Sequence, residues 1–154
     1  MNELKSAVDI NEKYIDLFLK KLTAYYGGSL VGKMIGIWGM VSKLEIDEMH
    51  ETIARIMINK LLEDGCKVII YDSLAMDDCH HRIGEAVEYV TDMYGATLNV
   101  DALLVLAECE KFFLPSWGVI KKSMNYPLII DGCNMYDKQE MAVMGFQYMN
   151  VENR

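Results

Sequence analysis

Met34-Ile35-Gly36-Ile37-Trp38, closed by Gly39, is an uncharged run too short for a helix. It is also too continuously apolar for a strand with one wet face, so it reads as a strand buried on both sides. Lys67-Val68-Ile69-Ile70-Tyr71 repeats the form and stops at Asp72-Ser73. Leu103-Leu104-Val105-Leu106-Ala107 and Leu128-Ile129-Ile130-Asp131 repeat it twice more. Weaker strands are expected at Glu88–Thr91 and Phe146–Val151. Helical stretches separate them. One carries Ile53, Ile56, Met57, Leu61 and Leu62 on its inner face and ends at Glu63-Asp64-Gly65; another covers Ser116–Met124. Such strands alternating with helices predict a parallel sheet covered on both faces.

Upstream, residues 4–26 read as one helix. Leu4, Val8, Ile15, Phe18, Leu22 and Tyr25 form its apolar stripe, with a polar gap at Asn11 and a stop at Gly27-Gly28. The whole pattern describes an α/β, Rossmann-like parallel sheet with helices on both faces, preceded by an N-terminal helix. The boundary is drawn at residue 28, giving segments 1–28 and 29–154. The stripe needs a partner, either the main domain or a second copy of the chain in a homodimer.

Composition narrows the function. Apolar residues make up 52% of the 154 and charged residues 25%, a globular balance that argues against a disordered chain. Fifteen basic against 23 acidic side chains leave a net charge of −8, which repels a nucleic-acid backbone. No apolar run reaches the roughly 20 residues of a membrane span, and no secretion signal is visible. A cytoplasmic location without nucleic-acid or membrane partners is expected. Cys66, Cys79, Cys109 and Cys133 form no CxxC pair, so reduced thiols are expected. Cys79-His80-His81 beside Asp77 and Asp78 reads as a solvated loop, because adjacent histidines converge poorly on one ion. No metal is expected. Ligands in such sheets sit beyond the carboxyl ends of the strands, which directs attention to the loops at 39–47, 72–81, 108–114 and 131–137.

Those loops resemble a known family. Gly32 through Gly39 is similar to the G-K-x-I-A-V-x-G opening of the C-terminal, UDP-sugar-binding domain of UDP-glucose/GDP-mannose dehydrogenases. Leu61–Gly65 followed by Val68–Asp72 resembles L-L-x-x-G-x-x-V-x-x-Y-D-P, and Asp92–Glu108 resembles D-x-Y-E-A-x-x-G-A-D-A-L-V-I-x-T-E. Pro127–Gly132 with Asn134–Asp137 resembles P-x-x-x-D-G-R-N-x-Y-D, and Gly145–Tyr148 resembles G-F-x-Y. These fragments keep the family's order across residues 32–150. The N-terminal helix resembles the end of the family's central, dimer-forming domain.

The resemblance implies oxidation of the C6 hydroxyl of a UDP- or GDP-sugar to a carboxylate, by two hydride transfers to NAD, in the complete enzyme. This chain has no G-x-G-x-x-G fingerprint and no G-G-S-C-F-P-K-D segment for the thiolate. It is therefore not expected to be catalytic by itself or to hold NAD alone. The family's loop G-L-x-F-K-P-x-T-D-D-x-R-E-S is Gly39–Thr52 here. By resemblance, Ser42, Lys43, Cys133 and Asn134 occupy substrate-binding positions and His50 the cofactor-binding position. Ser42 stands for a Phe, and His50 and Cys133 each stand for an Arg. Lys43 is kept and still offers a cation to a diphosphate or sugar oxygen. His50 lacks the bidentate fork of an Arg. The reading is a nucleotide-sugar-binding domain of weak affinity, using Lys43 and backbone N–H groups near the Asp131–Asn134 turn. The alternative is a stand-alone degenerate paralogue acting as an oligomerisation or regulatory module.

Overall fold

A computed structural model describes residues 15–17, 19–39, 48–71, 87–106, 110–133 and 135–150, with the side chains of 48–55 outside that description. Residues 15–17 and 19–25 are helical and form α1. Next come β1 (Met34–Trp38), α2 (Glu48–Glu63), β2 (Lys67–Tyr71), β3 (Glu88–Tyr89), a 3-10 helix at Met93–Thr97 and β4 (Ala102–Val105). The chain continues through α3 (Glu110–Phe113), α4 (Trp117–Ser123), β5 (Leu128–Asp131), α5 (Lys138–Val143) and β6 (Gln147–Asn150). The six strands form one sheet in the order β3-β2-β1-β4-β5-β6, and every pairing is parallel. This is the doubly wound, Rossmann-like arrangement the apolar runs predict.

Strand alternation sorts the side chains onto two buried faces. Ile35, Ile37, Val68, Ile70, Leu104 and Ile130 share one cluster with the inner residues of α1 and α2. Trp38, Ile69, Leu103, Val105 and Ile129 share the other with Met93, Phe112, Ile120 and Met141. Helices therefore cover both faces. Gly36 marks a point where β1 tolerates no side chain, since a Cβ there would fall 2.0 Å from the Ala96 carbonyl oxygen.

The phases of α1 and α2 differ from the sequence reading. In α1 the buried positions are Ile15, Leu19 and Leu22, with Tyr26 packed behind them, while Tyr25 is 37% exposed. Tyr26 thus takes the place expected of Tyr25, and Leu19 joins the inner face. The cause lies at the end of the helix. The Tyr26 hydroxyl donates to the Asp101 carbonyl at the foot of β4, and the Tyr25 and Tyr126 hydroxyls meet at 2.6 Å on the surface. Leu4, Val8 and Phe18 lie outside the described residues. In α2, Ile58 joins Met57 and Leu61 as fully inner, and Ile56 and Leu62 are only partly covered.

Candidate functional site

The strand order reverses between β1 and β4, so the crevice lies beyond the carboxyl ends of those strands and their neighbours. β1 leaves that rim at Gly39, whose φ of 82° suits glycine. Its N–H donates to the Tyr71 carbonyl at 2.7 Å. β5 ends at Asp131, which is wholly buried. A carboxylate at such a place requires a full set of donors, and it has them. Oδ1 accepts from the Cys133 N–H at 2.9 Å. Oδ2 accepts from the N–H groups of Met135 at 2.7 Å and Tyr136 at 3.0 Å, and from the Tyr148 hydroxyl at 2.7 Å. Gly132 donates to the Val105 carbonyl at 2.8 Å, and a Cβ there would stand only 3.0 Å from that oxygen. The turn is thus wound around one side chain.

Aromatic contacts tie this turn to the first strand. The Tyr136 hydroxyl donates to the Phe112 carbonyl at 2.5 Å, and the Phe112 ring stacks on Trp38 with centroids 4.7 Å apart. Lys111, beside Phe112, is held over the carboxyl end of β2. Its Nζ donates to the Tyr71 hydroxyl at 3.2 Å and lies 6.0 Å from that ring's centroid.

Among the five sequence-derived site residues, the structure describes one side chain, that of Cys133. It is a partly exposed thiol with Sγ 3.8 Å from the Val105 carbonyl. Ser42, Lys43 and Asn134 lie outside the described residues, and so does the His50 side chain, whose backbone belongs to the first turn of α2. The N–H groups of Gly39, Leu106, Gly132, Cys133, Met135 and Tyr136 all bond within the chain. They serve neighbouring strand ends and the Asp131 carboxylate. Asp131, Tyr136, Tyr148 and Lys111 were not among the expected site residues. The P-x-x-x-D-G-R-N-x-Y-D and G-F-x-Y fragments contain three of them, but nothing in the local pattern joins Tyr148 to Asp131.

The described residues do not fit a dinucleotide, because the turn after β1 lacks the glycine fingerprint and the Gly39 N–H is engaged. Among the described residues no group of three or more His, Cys, Asp or Glu is placed to hold a metal. Burial pushes the Cys66 thiol up to about 11, which keeps it protonated and unreactive at neutral pH.

Three phenols are displaced further. Burial, then the Asp131 charge, pushes Tyr136 well above its ordinary value of 10.0. Burial, then the hydrogen bond to Asp131, does the same to Tyr148, and burial with the Asp101 charge does so to Tyr26. The folded chain thus favours neutral phenols. Their stabilising contribution is complete below pH 10 and is lost as pH rises through the displaced values. Urea midpoints are expected to fall above about pH 10, less steeply in Tyr148→Phe. A midpoint that stays level through that range would contradict the phenol network.

Residues 36–138 match the UDP-glucose/GDP-mannose dehydrogenase family, UDP binding domain. The chain is 28% identical to a UDP-glucose 6-dehydrogenase of Rhizobium meliloti, across 96% of this chain and 34% of that protein. It is 29% identical to a UDP-glucose 6-dehydrogenase of Bacillus subtilis, across 96% of this chain and 32% of that protein. It therefore spans about a third of the length of these relatives. The structure of a UDP-glucose dehydrogenase from Pyrobaculum islandicum shares the fold, with a TM-score of 0.72 at 20% identity over 96% of this chain and 31% of that one. The match includes both ends of the crevice, the turn at Gly39 and the turn wound on Asp131, and it spans most of the sheet. On that basis the chain belongs to the UDP-glucose/GDP-mannose dehydrogenase family, within its UDP binding domain.

Proposed function

We infer that the chain holds a UDP-sugar at the carboxyl ends of β1 and β5, as the C-terminal domain of an NAD-dependent nucleotide-sugar 6-dehydrogenase. The observation that carries this is the turn fixed by Asp131 beside the switch in strand order, where open α/β sheets receive ligands. Ser42, Lys43, Cys133 and Asn134 contact the nucleotide sugar in this reading, and His50 faces the NAD bound elsewhere in the complete enzyme. The setting is cytoplasmic; among the described residues no helix is long and apolar enough to cross a membrane. A homodimer through α1 would use the side carrying Leu17, which is exposed, since Ile15, Leu19 and Leu22 already face the chain's own sheet. Sedimentation tests that part.

Binding is weak on physical grounds. A diphosphate must approach a chain of net charge −8. Cys133 also forgoes a charge-assisted contact worth about 1.5–3 kcal/mol, a loss of roughly ten- to more than a hundredfold in affinity. Titration of UDP and UDP-glucose into labelled protein is expected to give a Kd of about 0.1–1 mM or weaker. Amide shifts should cluster at 42–47 and 131–134, and binding should weaken in Lys43→Ala and with added salt. Absence of any shift at millimolar ligand would count against the reading. The purified chain with NAD and UDP-glucose should yield no NADH above background, because it has neither the dinucleotide fingerprint nor the thiolate segment. Turnover lost on mutating a residue of this chain would refute that.

A further inference from the structure

We propose that Tyr148 is a positioning residue of the nucleotide-sugar site, where its hydroxyl holds in place the turn that carries Cys133 and Asn134. The assignment rests on the UDP-sugar reading above. Tyr148 belongs to the G-F-x-Y fragment, while Asp131 and Tyr136 belong to the fragment that surrounds positions 133 and 134. The fold brings the two fragments together. The Tyr148 hydroxyl donates to Asp131 Oδ2 at 2.7 Å, with the Tyr136 carbonyl 3.0 Å away as a second acceptor. It accepts in turn from the Asn150 side-chain amide at 3.3 Å.

The origin of each donor gives the hydroxyl this role. Asp131 accepts from the N–H groups of Cys133, Met135 and Tyr136, all of which lie in the turn itself. The carboxylate hangs from β5 by two rotatable bonds, so rotation about them would carry the turn along. Tyr148 is the described donor to this carboxylate that comes from outside the turn. It stands on β6, which pairs with β5 in a register that sets Tyr148 beside Ile129 and Asn150 beside Asp131. Its ring packs against the buried cluster of that sheet face. A stiff phenol rooted in the sheet thus fixes the torsions of Asp131. Its nearness to the Tyr136 carbonyl anchors the far end of the turn as well. Support of this kind lowers the cost of ordering a binding segment when the ligand arrives.

The test is an amide-shift titration of the full chain with UDP-glucose, repeated for Tyr148→Phe and Tyr26→Phe at a temperature where urea curves show all three folded. Tyr148→Phe removes one oxygen and keeps the ring. It is expected to weaken binding by about three- to tenfold, the cost of ordering one or two residues at the moment of binding. The salt dependence of its Kd should match the parent's, because the hydroxyl carries no charge. Tyr26→Phe removes a hydroxyl that donates to the Asp101 carbonyl at the opposite, amino end of the sheet. It should lower the urea midpoint yet leave the Kd unchanged, a split that separates positioning from general stability. An unchanged Kd in Tyr148→Phe, or an equal loss in Tyr26→Phe, overturns the assignment and leaves the nucleotide site standing. No shift with UDP-glucose in the parent chain overturns the site itself, and the assignment with it.

Discussion

A chain lacking residues 1–28 is expected not to fold. Ile15, Leu19 and Leu22 belong to the same buried cluster as β1, β2, β4 and β5. Burying a Leu or Ile side chain contributes about 1.5–3 kcal/mol, so these three together contribute roughly 5–9 kcal/mol. Whole domains are stable by only about 5–15 kcal/mol. Deletion also exposes the sheet face beneath them and removes the contact between Tyr26 and the Asp101 carbonyl. Urea unfolding followed by circular dichroism, beside amide-shift dispersion, decides the matter. Cooperative unfolding of residues 29–154, within about 2 kcal/mol of the full chain, would show that α1 is an appendage. Leu22→Ala gives the graded form of the experiment, with a loss of about 2–5 kcal/mol.

Asp131→Ala is expected to cost about 3–5 kcal/mol, the second largest effect. The substitution strands the N–H groups of Cys133, Met135 and Tyr136 and the hydroxyl of Tyr148. Each buried donor without an acceptor costs about 1–3 kcal/mol, toward the lower end where water can reach it. Asp131→Asn keeps one oxygen but turns an amide N–H group toward donors, so an intermediate loss is expected. Amide exchange at Met135 and Tyr136 should quicken in both variants, because the turn loses the group around which it winds. A loss under about 1 kcal/mol in Asp131→Ala would show that the turn is held by other contacts.

Individual elements show what can be read locally. β1, β2 and β5 run over the residues that their apolar runs predict, because a strand buried on both faces is apolar between its ends. β4 begins one residue earlier than expected, at Ala102. β3 pairs over Glu88–Tyr89 alone, where Val90 still donates to Ile70 at 3.0 Å. Helix phase was harder to read. Both Phe18 and Leu19 are apolar, as are Ile56, Met57 and Ile58, so spacing alone permits two neighbouring stripes.

By itself, then, the sequence determined the strands, the parallel sheet with helices on both faces, and the family resemblance that locates the crevice. Each of these is written in short runs of neighbouring residues. Tertiary structure alone decided which face of α1 is inner, which N–H groups close on the Asp131 carboxylate, and which cation stands over β2. The physical reason is that hydrogen bonds and ring contacts form between residues far apart in the chain. Tyr148 reaches Asp131 across 17 positions and Lys111 reaches Tyr71 across 40, distances over which no local pattern carries information.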